Sequence, residues 1–85
     1  MGFRWSQEKS DGLKRIRGVS FEETLQAEFV GVTEHPSRPN QTTLFFRIDD
    51  YIWVVPCVIQ GEEIFLKTLF PSRKHTRLWR LGELS

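Results

Sequence analysis

The chain has 85 residues, of which 39% are hydrophobic and 13% aromatic, and its formal net charge is +1 at pH 7. This apolar content is sufficient for a compact core and excludes a disordered chain, and the length predicts a single domain over residues 1–85. Because no apolar run is long enough to span a membrane and no signal-peptide core follows Met1, we expect a cytoplasmic protein.

The composition argues against several kinds of site. The single cysteine, Cys57, lies in an apolar run, which predicts a buried thiol in a reducing compartment rather than a disulfide or a nucleophile. His35 and His75 are far apart in sequence and have no ligand spacing typical of zinc. We therefore expect no metal site and no cofactor.

Charge is distributed unevenly along the chain. Residues 1–18 contain five basic and two acidic side chains. Residues 19–50 contain two basic and six acidic side chains, and residues 51–85 contain five basic and three acidic ones. The two ends are therefore basic and the middle is acidic. This pattern favours a polyanion on one surface and a basic or acid-tolerant partner on another.

The N-terminal segments predict a short strand and then a helix. The strand covers 3–5, and the helix covers about 7–17, with Ser6 positioned to cap its start and Gly18 its end. The stretch "SFEE" at 20–23 is a capping box, in which the serine hydroxyl and the last glutamate satisfy each other's backbone amides.

A second helix should follow the capping box, with Phe21, Leu25 and either Glu28 or Phe29 on one side. The segment 31–41 contains glycine, two prolines and asparagine, which predicts a loop. Three strands are predicted after it, over 42–48, 51–59 and 63–70.

Two tight turns set the register of these strands. Asp49 and Asp50 suit a two-residue hairpin turn, and 60–62 suits the next turn. Pro56 lies inside the middle strand and lacks an N–H, so it must occupy a bulge or a position without a partner strand.

Alternation along the paired strands then defines two faces of the sheet. The first is almost wholly apolar and must be covered; it comprises Leu44, Phe46, Ile48, Tyr51, Trp53, Val55, Cys57 and Leu66. The second combines apolar residues with two cations, Arg47 and Lys67. Cations on a semi-apolar surface favour a functional role.

The stretch "FLKTLFPSRKHTRLW" at 65–79 predicts a strand that gives way to a helix at Ser72. This helix would begin with Arg73 and Lys74, at the end where the helix dipole disfavours cations. A bound anion removes the conflict, because a helix N-terminus is a favourable site for phosphate.

One group of residues could carry chemistry on RNA: Arg47, Lys67, Arg73, Lys74, His75 and Arg77. Arginine and lysine bind phosphate oxygens and stabilise the charge of phosphoryl transfer. Proton transfer could use His75, His35 or a carboxylate such as Glu22, and base stacking could use an aromatic ring. The candidates for stacking are Phe65, Trp53 and Trp79. The alternative is that the basic helix is simply a solvated surface.

The combined segments resemble the BrnT family of bacterial toxins from type II toxin–antitoxin modules. The stretch "FRWSQEKSDGLKRIRGVSFEE" at 3–23 is similar to the family's Phe-x-Trp-Asp-x-x-Lys opening and its later His-Gly-Val-Ser-Phe-Glu-Glu element. The stretch "SRKHT" at 72–76 is similar to the family's Ala-Arg-Arg-Ala-Thr element. The resemblance covers most of the chain.

The resemblance implies an α+β fold of the RelE/ParE-like superfamily. Two N-terminal helices would pack on a small antiparallel β-sheet, and a short C-terminal helix would follow. It also implies a metal-independent endoribonuclease that cleaves mRNA and blocks translation. A cognate antitoxin would neutralise it, and operator DNA would be bound only through that antitoxin.

On this interpretation the six candidates divide into two roles. The catalytic residues are Lys67, Arg73 and His75, and the RNA-binding residues are Arg47, Lys74 and Arg77. Two alternatives remain open at this point: a non-catalytic protein-interaction module, and a ParE-like inhibitor of a protein target.

Overall fold

The computed structural model describes residues 2–84, which form one six-stranded sheet and three helices. The strands are β1 (Gly2–Arg4), β2 (Glu28–Glu34), β3 (Gln41–Ile48), β4 (Tyr51–Gln60), β5 (Glu63–Leu66) and β6 (Phe70–Pro71). The helices are α1 (Gln7–Arg17), α2 (Phe21–Leu25) and α3 (Arg73–Arg80).

The strand order is β1-β5-β4-β3-β2, and β6 also pairs with β4. β1 runs parallel to β5, while the other pairs are antiparallel. β4 is therefore the central strand, with β3 along one edge and β5 followed by β6 along the other.

The β3–β4 hairpin has the predicted register. Phe46 pairs with Trp53 and Leu44 with Val55, as the two-residue turn requires. Both turn residues, Asp49 and Asp50, have positive φ (51° and 62°), the geometry of a type I′ turn. The right-handed twist of the strands favours this turn type.

Pro56 lies in β4 where the neighbouring strand changes from β5 to β6. Its carbonyl accepts from the backbone N–H of Lys67 at 2.9 Å, so this residue faces the β5/β6 edge. Segment 67–69 is not in a strand, so the missing N–H of Pro56 falls at a gap in the pairing. The prediction for Pro56 is confirmed.

The predicted caps of the first two helices are also confirmed. Ser6 caps α1 by accepting from the backbone N–H of Lys9, and Gly18 ends it in the left-handed region at φ 83°. In α2 the hydroxyl of Ser20 accepts from the N–H of Glu23, and the Glu23 carboxylate accepts from the N–H of Ser20.

Apolar side chains form a separate cluster on each face of the sheet. The first includes the face predicted to be buried except Tyr51, with Leu13 of α1 and Phe21 of α2 added to it. The second comprises Phe45, Ile52 and Val54, covered by apolar residues that include Trp79 of α3. Both faces of β4 are therefore buried, which is consistent with its nearly continuous apolar sequence.

The predicted architecture of two N-terminal helices on a small antiparallel sheet is wrong. Within residues 2–84 the sheet has six strands and is mixed, because β1 joins it in parallel. α1 buries only Ser10 and Leu13 of its residues, and α2 is a five-residue helix. The molecule is a mixed α+β protein with one long helix near the N-terminus of the described chain and α3 near its C-terminus.

Two other sequence predictions fail at strand boundaries. The second helix was expected to reach Glu28 or Phe29, but it ends at Leu25 and the chain continues as β2 into the segment 31–41 predicted as a loop. The strand predicted over 63–70 ends at Leu66. β2 was missed because a bulge between Phe29 and Gly31 interrupts its alternation.

In residues 2–84, no helix combines the length and the apolar character needed to cross a membrane.

We expect replacement of Asp50 by glycine to stabilise the protein. Glycine adopts positive φ without the steric cost that a side chain incurs, and it is the preferred second residue of a type I′ turn. Asp50→Gly should raise the free energy of unfolding by about 0.5–1 kcal/mol, measured by urea denaturation. The matched control is Asp50→Ala, which removes the same carboxylate but keeps a Cβ. Equal stability of the two variants would show that the turn is not strained.

Candidate nucleic-acid interface

The start of α3 is attached to the backbone of β4. The N–H of Ser72 donates to the carbonyl of Ile52 at 2.9 Å, and the N–H of Ile52 donates to Oγ1 of Thr76 at 2.8 Å. The Thr76 hydroxyl in turn donates to the carbonyl of Ser72 at 2.6 Å, and its side chain is buried. The hydroxyl thus replaces a strand partner for Ile52, and it fixes where α3 begins.

Ser72 also contacts the His75 ring. Its Oγ caps the helix by accepting from the backbone N–H of His75 at 3.1 Å, and it lies 2.7 Å from Nδ1 of the same residue. A hydroxyl oxygen has one proton and two lone pairs, so Oγ donates to Nδ1 in one neutral tautomer of the ring and accepts from Nδ1–H in the other. In both tautomers the hydrogen bond ties the ring to the start of α3.

The surroundings of His75 favour the uncharged ring. The imidazole packs on Phe45 with 4.8 Å between ring centroids. Burial lowers the pKa of His75 below its ordinary value of 6.5, and the nearby charge of Lys74 lowers it further. The ring is therefore neutral at pH 7 and able to exchange a proton.

The inner side of α3 lies along β3. His75 and Trp79 are one turn apart, and they contact Phe45 and Arg47, which are alternate residues of β3. The guanidinium carbon of Arg47 lies 5.9 Å from the centre of the Trp79 ring, a cation–π distance. Arg47 and His75 therefore lie on the same side of the sheet, between β3 and α3.

The charge of Arg47 is shared with two carboxylates. Its Nη2 and Nε lie 2.7 and 2.8 Å from Oε1 of Glu28, and its Nη1 lies 3.4 Å from Oδ1 of Asp50. The hydrogen bond with Glu28 is the main reason that the pKa of Arg47 is raised. A phosphate at Arg47 would have to compete with these groups.

Three cations face outward from α3, and we call them the α3 cationic face: Arg73, Lys74 and Arg77. They border a shallow hollow of about 380 Å³. At 100° per residue they lie on the side of the helix opposite His75 and Trp79. Within residues 2–84 none of the three forms an ion pair, so their charges are available to an anion.

Lys67 lies elsewhere. It follows the end of β5 and borders a groove of about 500 Å³ whose other walls include Gly12, Leu13 and Ile16 of α1. The prediction that Lys67 shares a sheet face with Arg47 is wrong, because the strand that would have placed it there stops at Leu66. The structure does not bring Lys67 to the α3 cationic face.

The other predicted acids and bases have local structural contacts. Glu22 accepts from Oγ of Ser10 and, at 2.7 Å, from Nε2 of Gln7; these hydrogen bonds lower the pKa of Glu22, with Ser10 the larger cause. Nδ1 of His35 accepts from the backbone N–H of Ser37 at 3.2 Å. Glu22 thus links α1 to α2 and is a weaker base than an ordinary glutamate.

The three aromatic residues predicted to stack bases differ in exposure. Trp53 belongs to the buried core, so that prediction is wrong for Trp53. Trp79 is half-buried under Arg47, while Phe65 is 40% exposed beside the groove at α1.

Neither a metal cluster nor a reactive thiol occurs in the described part of the chain. No group of three or more histidine, cysteine, aspartate or glutamate side chains is arranged to hold a metal ion within residues 2–84. Burial raises the pKa of the Cys57 thiol to about 12, so the thiolate is not accessible near neutral pH.

Sequence reasoning missed Thr76 and the contact between Ser72 and His75. Thr76 was noted only as part of a motif, yet its hydroxyl joins α3 to β4. The Ser-x-x-His spacing at 72–75 was the available signal, because a capping serine reaches the third helical residue.

The fold is similar to that of one solved structure. The crystal structure of the Brucella abortus ribonuclease toxin BrnT matches 85% of this chain and 96% of that chain, with a TM-score of 0.53 and 15% sequence identity. No protein-family model matches the sequence, and no curated protein matches it. At this identity the likeness shows a shared fold, and membership of the BrnT family stays a prediction.

Loss of the Thr76 hydroxyl should destabilise the protein. In Thr76→Val the shape is retained, but the buried N–H of Ile52 loses its acceptor, at a cost of about 1–3 kcal/mol in the free energy of unfolding. Thr76→Ser keeps the hydroxyl and is the control in the same denaturation experiment. A serine variant as unstable as the valine variant would assign the effect to packing instead.

His75 should make stability depend on pH near neutrality. Its folded-state pKa lies below the unfolded value, so its contribution is present above about pH 6.5 and is lost as the pH falls through the folded-state pKa. Melting temperature should therefore decline between pH 8 and pH 5.5. His75→Gln should show a flatter profile over this range, while His35→Gln should keep the decline. A profile unchanged by His75→Gln would contradict the assignment.

Proposed function

We propose that this chain is the toxin of a type II toxin–antitoxin module and that it cleaves RNA to block translation. The observation that carries the proposal is the α3 cationic face, three unpaired cations on the outer side of a helix fixed to the central strand, two of them at its start. The likeness in fold to a ribonuclease toxin supports the same function.

RNA binding would begin with phosphate at the α3 cationic face. The side chains of Arg73, Lys74 and Arg77 supply hydrogen-bond donors and positive charge. The first backbone N–H groups of a helix lack intrahelical acceptors, and Ser72 satisfies that of His75. The remaining amides and the helix dipole add to the attraction of a phosphate.

The proposed reaction is attack of a ribose 2′-hydroxyl on the adjacent phosphorus. A P–O bond forms to the 2′-oxygen, the bond to the 5′-oxygen breaks, and a 2′,3′-cyclic phosphate results. A base removes the 2′ proton and an acid protonates the 5′-oxygen, so the reaction needs no metal ion. His75, which is neutral at pH 7, is the candidate for proton transfer. Arg73, predicted as catalytic, lies on the opposite side of α3 from His75, so its proposed role is to hold a neighbouring phosphate of the RNA rather than the reacting one.

Lys67 has a weaker case as a catalytic residue. It borders the groove beside α1, away from Arg73 and His75, so its contribution to the reaction would be long-range attraction of RNA. Arg47 would likewise contact RNA only after exchanging Glu28 for phosphate.

A cognate antitoxin is the proposed protein partner. It would neutralise the chain by covering or adjoining the α3 cationic face and so excluding RNA, and operator DNA would be contacted through the antitoxin. Opposite charges on the antitoxin would accelerate this association.

The geometry also favours a second candidate, a non-catalytic interaction module or an inhibitor of a protein target. Its support is that His75 faces inward on Phe45 while Arg73, Lys74 and Arg77 face outward, so the predicted catalytic groups do not converge. Induction of the protein in bacteria with mapping of RNA ends distinguishes the two. New 5′ ends that accumulate with growth arrest support the ribonuclease, and arrest without new ends supports the second candidate.

We expect Arg73→Ala combined with Lys74→Ala to impair function rather than folding. Cations at a helix N-terminus are unfavourable, so their removal should leave the melting temperature unchanged or slightly higher. Each lost charged hydrogen bond to phosphate should weaken RNA binding by about ten- to a hundredfold. The measurements are a thermal melt, a growth assay and an RNA titration at two salt concentrations, where the salt dependence should become shallower.

The control is Arg15→Ala combined with Arg38→Ala, which removes two exposed arginines from α1 and from the loop before β3. It should reduce RNA affinity much less than the α3 variant. Equal losses in the two variants would indicate nonspecific attraction, and unchanged growth inhibition in the α3 variant would contradict the proposed interface.

A further inference from the structure

β2 forms one end of the sheet. The strand order over residues 2–84 ends at β2, so one edge of this seven-residue strand has no neighbouring strand in the described chain. The opposite end of the sheet is β1, which has three residues. β2 is therefore the longer unpaired edge.

The hydrogen bonds of the β2–β3 ladder identify which backbone groups point outward. The N–H of His35 donates to the carbonyl of Gln41 at 3.0 Å, so position 35 faces β3. Alternate residues of a strand point the same way, which directs Thr33 toward β3 and Val32 and Glu34 toward the open edge. The carbonyl of Thr33 accepts from Oγ1 of Thr42 at 2.9 Å, in agreement with this assignment.

The bulge in β2 brings two apolar side chains to one face. Phe29 and Val32 are three residues apart, and in a regular strand they would lie on opposite faces. Because the register shifts between Phe29 and Gly31, Phe29 is opposite Phe46 and Val32 is opposite Leu44, two residues that share a face. Phe29 is 54% exposed and Val32 is 47% exposed.

An apolar groove lies on the same side of the sheet, and Phe29 is the residue of β2 that lines it. It has a volume of about 340 Å³ and is lined by Phe3, Leu25, Phe29, Leu44, Phe46 and Ile64. An added strand would place alternate side chains over this face and its backbone along β2. Hydrogen bonds and an apolar contact are thus both available to an extended peptide.

The charges near β2 select the kind of peptide. β2 begins at Glu28 and ends at Glu34, and the region 19–50 that contains β2 and β3 has six acidic and two basic side chains. Antiparallel pairing of β2 with a second copy about Gly31 would bring the acidic end at Glu28 beside the acidic end at Glu34 of that copy, with the two side chains on opposite faces of the sheet, and like charges so close are unfavourable. One cation, Arg47, is shared by Glu28 and Asp50, so that end of β2 keeps a net negative charge, and Glu34 forms no ion pair within residues 2–84. A strand with basic ends would therefore meet an opposite charge at each end of β2.

We propose that β2 is a docking edge for an extended segment of a partner protein, one with an apolar centre flanked by lysine or arginine. The segment adds to the sheet through the backbone of Val32 and Glu34, and its apolar side chains contact Phe29 and Val32. This inference does not depend on RNA cleavage or on the α3 cationic face.

The test uses the full chain and a labelled peptide of the same length as β2, with alternating valine and threonine between two terminal lysines. Binding to Val32→Pro is compared with binding to Val32→Ala. Both variants reduce the apolar surface at position 32. Proline also removes the N–H that points to the open edge, while the hydrogen bonds between β2 and β3 stay intact. We expect affinity for Val32→Pro to fall about tenfold below that for Val32→Ala.

A second measurement needs no variant. Hydrogen exchange at the amides of Val32 and Glu34 should slow when the peptide is added to the unmodified protein, while a peptide with glutamate at both ends should bind at least about tenfold more weakly. Exchange that does not slow, equal binding of the two peptides, or equal affinity of the two Val32 variants would each overturn the proposal. Self-association that Val32→Pro abolishes would also overturn it, since a second copy would then occupy the edge.

Discussion

The central constraint of this structure is the division of one edge of β4 between two segments. β5 pairs with the C-terminal half of that edge and β6 with the N-terminal half, and Pro56 lies at the change between them. Because proline cannot donate a hydrogen bond, the chain can leave the sheet over 67–69 without leaving an amide of β4 unpaired. Its return as β6 then allows Ser72 and Thr76 to bond to Ile52, which sets the position of α3.

This arrangement separates two surfaces of opposite character. α3 begins beside β4 and directs Arg73, Lys74 and Arg77 outward, whereas β2 ends the sheet with Glu28 and Glu34 at its limits. The near-neutral net charge of the chain conceals this difference, since the basic and acidic regions nearly cancel. A polyanion and a basic polypeptide could therefore be bound at different places on one small protein.

Local signals in the sequence were sufficient for the elements that short-range chemistry determines. The capping box at Ser20 and Glu23, the Asp49-Asp50 turn and the pairing of Phe46 with Trp53 all depend on neighbours or on a short loop. The position of Lys67 and the role of Thr76 could not be predicted, because they depend on where the chain leaves and rejoins β4. The mixed sheet was missed for a similar reason, since a three-residue strand carries almost no periodic signal.

The parallel pairing of β1 with β5 has a consequence for the order of folding. Gly2 pairs with Glu63, so this contact closes a loop of most of the chain, whereas the β3–β4 hairpin closes over two residues. The entropy of loop closure favours formation of the hairpin first and attachment of β1 last. During synthesis on the ribosome, β1 and α1 emerge long before β5 is made, so β1 cannot pair with the sheet until β5 has been synthesised. The same segment is then the natural unit for local opening of the folded protein, which would uncover the apolar groove at Phe3 while the central hairpin stays intact.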